Sequence, residues 1–206
     1  MPAIDLKISP AEREDANALA EAAILAGHGV FEMLFEDLIP GLSATEAYRD
    51  RRVLKPGHFS HFSNWHVARD AGGKLLGALN AFPHDNLARA TPDPLMTPER
   101  LAPLAVMGDI EDEPAGSYYL NLVAVFPEAQ GRGIGRALVQ HAITRAAQQE
   151  FRCLSLSTWG DDQKLMSFYE KLGFTCAAKR EFAPDPRLSA GTSYVLLVKE
   201  LSQPGT

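Results

Sequence analysis

The spacing of apolar residues divides this chain into a helical opening and a longer stretch where strands and helices alternate. Ile4 to Ile8 reads as a short strand, and Ser9-Pro10-Ala11-Glu12 offers a capping box with proline at the first helical position, predicting a helix from Pro10. Ala16, Leu19, Ala20, Ala23 and Ile24 keep helical spacing until Gly27 and Gly29 supply a stop. Val30, Phe31, Leu34, Phe35 and Leu38 carry the pattern to Pro40-Gly41, and Ser43-Ala44-Thr45-Glu46 is a second capping box. Asn64 to Arg69 and Lys74 to Phe82 then read as a hairpin around Asp70-Ala71-Gly72-Gly73. From Pro83 to Ser117 prolines break the pattern, although Thr97-Pro98-Glu99-Arg100 starts a short helix, and a loop this long is usually functional or mobile.

Tyr118 to Phe126 is apolar at nearly every position, as expected of a strand buried on both faces. Behind it, Ile134, Leu138, Ala142 and Ala146 mark a helix, and Arg152 to Thr158 a strand parallel to the first, which makes a βαβ unit. A further helix from Asp161 or Asp162 buries Leu165, Phe168, Tyr169 and Leu172 and stops at Gly173. Phe174 to Phe182 and Thr192 to Leu201 close the sheet as an antiparallel pair joined through Pro184 and Pro186, and Ser202 to Thr206 is a loose tail. At 206 residues without a linker or repeat, one domain over 1–206 is expected.

The chemistry concentrates between the strand and the helix, at Gln130-Gly131-Arg132-Gly133-Ile134-Gly135-Arg136. A helix start has unpartnered N–H groups and a partial positive charge, and glycines let the main chain approach a ligand, so this junction suits a phosphate or pyrophosphate. It lacks the Gly-Lys-Ser/Thr of a Walker loop, and Arg136 stands where a dinucleotide fingerprint needs Gly or Ala. Gln-x-x-Gly-x-Gly after a strand resembles the acetyl-CoA signature of the GCN5-related N-acetyltransferase (GNAT) family. Tyr169-Glu170-Lys171-Leu172-Gly173-Phe174 resembles that family's Tyr-x-x-x-Gly-Phe helix end. The likeness is sharp from Tyr118 to Phe174 and one of layout elsewhere.

That resemblance implies an α/β fold, a mixed and mostly antiparallel sheet with a central parallel strand pair flanked by helices. It implies acetyl transfer from acetyl-CoA to a primary amine in a ternary complex, with a non-catalytic acyl-CoA-binding or sensing domain as the alternative. The backbone of Gly131, Arg132, Gly133, Ile134, Gly135 and Arg136, preceded by Gln130, would hold the pyrophosphate, and Val123, Ala124 and Val125 the pantetheine amides. Glycine at 133 and 135 keeps side chains out of the phosphate volume. Arg132 and Arg136 add charge or are simply solvated. Tyr169 matches the general acid that protonates the CoA thiolate, against the plain alternative of a core aromatic. Asp162 stands where many members have a cofactor-contacting asparagine, or it only caps its helix. Family positions for a general base fall on Ser157, Tyr119 and Asn121, none acidic, which leaves Glu111 and Glu113 acting through water, or an amine that arrives neutral. These two belong to an acidic cluster with Asp109 and Asp112, a substrate feature or a solvated loop. Phe31, Phe35 and Tyr48 are specificity candidates by the same resemblance, or helix packing.

Composition narrows the partners. A net charge of −6 without clusters of Lys and Arg argues against nucleic acid and favours a small-molecule or peptide amine. No apolar run reaches the roughly 20 residues of a membrane span, and the N-terminus lacks a secretion signal, so a cytoplasmic protein without a membrane partner is expected. Cys153 and Cys176, on strands taken as adjacent, are expected to be buried thiols without a redox or catalytic role. His58, His61 and His66 match no zinc spacing, so no metal is expected. Family members are often homodimers, but nothing in the sequence marks an interface.

Overall fold

A computed structural model describes residues 5–89, 92–111, 113–183, 187–188 and 191–202. Seven strands form one sheet: β1 (Lys7–Pro10), β2 (Trp65–Arg69), β3 (Leu75–Pro83), β4 (Tyr118–Val125), β5 (Cys153–Trp159), β6 (Thr175–Glu181) and β7 (Ser193–Glu200), in the order β1-β2-β3-β4-β5-β7-β6. Every neighbouring pair is antiparallel except β4 and β5, which are parallel. The helices are α1 (Ala16–Gly27), α2 (Val30–Phe35), α3 (Ala44–Tyr48), α4 (Asn86–Arg89), α5 (Pro98–Leu101), α6 (Ala105–Glu111), α7 (Ile134–Gln148) and α8 (Gln163–Glu170).

Helices cover both faces of the sheet. On one side α7 buries Ile134, Leu138, Val139, Ala142, Ile143 and Ala146, the stripe its spacing predicts, against Leu79, Leu120 and Leu154. On the other, Leu19, Ala20 and Ala23 of α1 join Phe35, Tyr48 and the β2 residues Trp65 and Val67. The second capping box forms as expected: the Ser43 hydroxyl accepts from the Glu46 amide and the Glu46 carboxylate from the Ser43 amide.

The first capping box does not start a helix. Ser9 and Pro10 instead extend β1, which pairs Pro10 with His66 on an edge strand where proline's missing N–H costs little. The turn into α1 comes later, through Arg13–Asp15, where the Asp15 carboxylate accepts from the Glu12 amide at 3.0 Å. The strand expected from Ile4 therefore begins at Lys7, with Ile4 itself outside the described residues. The cysteine expectation also fails: β7 separates β5 from β6, Cys153 is half-buried and Cys176 exposed. Residues 83–117, expected to be irregular apart from a short helix at Thr97-Pro98-Glu99-Arg100, contain that helix as α5, with Thr97 as its N-cap, and also α4 and α6. Leu101, Leu104, Met107 and Ile110 recur every third residue there, and Pro103 and Gly108 obscure this helical signal. The Pro184-Pro186 connection and the tail beyond Ser202 lie outside the described residues.

Candidate acyl-transfer site

The parallel pair β4-β5 is in register only at Tyr118↔Leu154 and Tyr119↔Ser155. Past those rungs β4 stays paired with β3 and β5 with β7, while the edges they turn toward each other separate into a wedge. Alternate residues of β4 thus present main-chain N–H and C=O groups to the wedge without a strand to accept them. Asn121, Leu122, Val123 and Val125 are accordingly half-buried, in contrast to the fully buried strand the apolar run predicts.

The glycine loop stands at the wide end of the wedge. Gly131 and Gly133 take φ of 72° and 80°, the left-handed region that favours glycine, and a Cβ added at either meets nothing within 4 Å. That leaves open space in front of the α7 N-terminus, whose N-cap, Gly133, has no side chain to accept from the first-turn amides. Gly135 lies inside the first turn, where an added Cβ would touch Val125 Cγ2 at 3.6 Å and Phe168 Cζ at 3.9 Å, so no protein contact demands glycine there. Gln130 ties the loop to the strand by donating Nε2–H to the Val125 carbonyl at 3.2 Å. Arg132 and Arg136 are exposed and pair with no carboxylate among the described residues.

From the wedge a cavity of about 490 Å³ runs between α2, α6 and α8. Leu122 and Val123 form one wall, Ser157 and Thr158 the opposite one, and Tyr169 and Leu165 the α8 side. Tyr169 is held edge-on by Phe168 and Phe174, with ring centroids 5.1 and 5.5 Å away. Burial pushes its hydroxyl far above the ordinary phenol value, so it stays protonated at any physiological pH. Asp162 Oδ1 accepts from the Lys164 and Leu165 amides, both at 2.9 Å, which is the capping role.

The acidic loop splits. Glu111, at the end of α6, reaches the cavity, where its Oε1 accepts from the Tyr194 hydroxyl at 3.1 Å, and its carbonyl lies 2.6 Å from His84 Nε2. Burial, and next to it the Glu111 charge, pushes both Tyr194 and Tyr119 well above their ordinary values. Glu113 turns away to an ion pair with Arg180 on β6 and is not part of the cavity wall; Asp109 is exposed, and Asp112 lies outside the described residues. Phe31, Phe35 and Tyr48 line the cavity while packing edge-to-face, so they serve the core and the wall at once. Of the histidines, His58 Nδ1 accepts from the Ser60 amide, His61 Nδ1 lies 2.8 Å from the Ser63 hydroxyl, and the His66 ring lies 4.7 Å from that of His141, tilted by 50°.

Arg52, Trp159 and Tyr194 also line the cavity, and no local sequence motif marks them. Arg52 sits in a π-helical turn over Arg49–Val53, with its guanidinium 5.1 Å from the centre of the Phe35 ring. The turn is clamped from a distance in sequence: the Asp93 carboxylate takes both Arg51 and Arg52, the latter at 2.8 Å. Burial opposes Asp93's charge, but hydrogen bonds from Arg51, the Leu95 amide and Arg52 outweigh it and hold the carboxyl well below its usual range. The Asp93 side chain is only 2% exposed, so Asp93→Ala should cost about 3 kcal/mol in urea unfolding by leaving buried charges unpaired. Because the folded value is depressed, the clamp's stabilisation is present above about pH 4 and is lost as pH falls toward the folded value. Asp93→Asn should therefore flatten the fall of the urea midpoint below about pH 4.

A family model described as "Acetyltransferase (GNAT) family" matches residues 30–174. The chain is 31% identical over 85 residues to the peptidyl-lysine N-acetyltransferase YjaB of Salmonella typhimurium, covering 39% of this chain and 55% of that protein. It is 34% identical over 76 residues to the GCN5-like protein acetyltransferase Rv2170 of Mycobacterium tuberculosis, covering 36% and 37%. The chain thus spans about half the length, or less, of these curated relatives. A crystal structure of an acetyltransferase superposes with a TM-score of 0.68 over 95% of this chain and 100% of that one, a likeness of fold at 18% identity. The splayed parallel strands and the glycine-fronted helix are thus accompanied by a family match over more than half of the sequence, and the chain belongs to the GNAT acetyltransferase family.

Proposed function

We propose that this chain is a single-domain N-acetyltransferase, taking the acetyl group from acetyl-CoA and passing it directly to a primary amine in a ternary complex. The observation that carries this is the cradle: open space before the free amides of α7, continuous with the unpaired edge of β4. Residues 131–136 offer the pyrophosphate backbone N–H groups and two arginine charges, and Val123 to Val125 offer the pantetheine arm strand hydrogen bonds. The amine nitrogen attacks the thioester carbon, the C–S bond breaks, and the products are the N-acetyl amine and CoA. Glu111 takes the proton the nitrogen loses, and Tyr169, kept neutral by burial, gives one to the departing thiolate; solvent then removes the proton from Glu111 and returns one to Tyr169, which restores both groups. Neither cysteine lines the cavity, which supports direct transfer over an acetyl-cysteine intermediate.

The named relatives act on peptidyl lysine or protein, and a lysine side chain is one such primary amine. Among the described residues no helix is long and apolar enough to cross a membrane, and both thiols are free, in keeping with a reducing cytoplasm. Tyr169→Phe tests the acid. Thiol release from acetyl-CoA should slow on the order of 10²-fold with acetyl-CoA affinity unchanged. An unchanged rate would return Tyr169 to a purely packing role.

A further inference from the structure

On the acceptor side of the cavity the wall is almost wholly aromatic and aliphatic: Phe31, Phe35, Tyr48, Leu104, Met107 and Trp159. Among all the described lining residues only two, Arg52 and Glu111, are Asp, Glu, Lys or Arg. Glu111 suits an amine. Arg52 has no part in acetyl transfer as derived above, yet its side chain is only 13% exposed and it faces the same space. It spends Nη1 alone on protein acceptors, the Arg51 carbonyl and Asp93; Nε and Nη2 have no acceptor among the described residues. Asp93 is shared by Arg51 and Arg52, so two cations meet one carboxylate and one positive charge is left over at the cavity edge. The neighbouring His58 does not cancel or add to it, since burial, with Arg52 and Lys55 nearby, depresses it to about 3 and keeps it neutral.

An apolar cavity with one carboxylate and one cation holding two spare N–H donors has a matching ligand. Resting on the acetyltransferase reading, we infer that the acceptor is a small amine with an aromatic or branched apolar body that also carries a carboxylate, recognised by Arg52. Spare guanidinium donors in a partly desolvated site form paired, charge-assisted bonds with a carboxylate. Polyamines fit poorly, because a second or third ammonium would enter an apolar wall or face Arg52.

The test compares matched amines in the thiol-release assay on the full chain: L-phenylalanine against 2-phenylethylamine, and 4-(aminomethyl)benzoate against benzylamine, with spermidine and a lysine peptide as outsiders. The two acids span short and long separations between amine and carboxylate. At least one acid should exceed its carboxylate-free counterpart in kcat/KM by about tenfold or more, and exceed spermidine and the peptide. In Arg52→Gln that ratio should collapse toward one, mainly through KM of the acid. Arg51 keeps Asp93 paired in this variant, and a melting curve checks its fold. Independently of any variant, 3-phenylpropanoate, an acid without an amine, should compete with the amine in the wild type. Preference for spermidine or the peptide, or equal use within both pairs, overturns the inference while acetyl transfer stands. A wild type that does not bind acetyl-CoA overturns the acetyltransferase reading itself.

Discussion

Gly133→Glu should weaken acetyl-CoA binding on the order of 100-fold while leaving the protein folded. Gly133 has φ of 80°, so a glutamate there costs about 1–2 kcal/mol of backbone strain. A Cβ meets nothing within 4 Å, however, so no packed contact is broken. The loss of binding comes from charge. A carboxylate about 5 Å from a phosphate, at an effective dielectric constant of about 20, opposes it by about 3 kcal/mol, on the order of 100-fold in affinity. Gly133→Asn separates the two effects, because asparagine tolerates the left-handed conformation and brings no charge; it should lose far less. Calorimetric titration checks both variants. Equal affinities for wild type, Asn and Glu would remove the loop from the binding site.

Glu111→Gln should lower kcat on the order of 10²- to 10³-fold, with acetyl-CoA affinity unchanged. The replacement keeps the volume and an oxygen that can still accept from the Tyr194 hydroxyl, so the wall at α6 is preserved. What goes is the basic group proposed to take the amine's proton. The residual rate should climb with pH, because a growing share of the amine then arrives neutral and needs no base. With the charge gone, Tyr194 and Tyr119 should titrate lower than in the wild type, though burial keeps them above an ordinary phenol. Wild-type kcat in this variant would mean that the amine always arrives neutral.

The proposed cofactor half of the site is legible in the sequence because it is local. A strand, a glycine loop and a helix follow one another without interruption between Tyr118 and Gln148, and their chemistry is carried by backbone groups whose positions glycine spacing and apolar period specify. The acceptor half is assembled from distant pieces. Arg52 depends on Asp93 and Glu111 on Tyr194, 41 and 83 positions apart, pairings that no local window along the chain contains. The acidic run illustrates the same point: Glu111 and Glu113 are indistinguishable in sequence, and only the end of α6 decides that one faces the cavity while the other meets Arg180. Ser9-Pro10 fails for a related reason, since pairing with His66 across β1 and β2 overrides the local capping preference. The splay of β4 from β5 is likewise a property of two registers, so apolar spacing alone reads Leu122 to Val125 as core, and only the family resemblance sets Val123 to Val125 beside a cofactor.

The central claim, that the wedge and the α7 N-terminus hold acetyl-CoA, is tested most directly by calorimetric titration of the wild-type chain with acetyl-CoA, CoA and NAD. Saturable binding of acetyl-CoA and CoA at one site per chain, with none of NAD, is the predicted result. No binding of acetyl-CoA, or NAD binding as tightly, would contradict it.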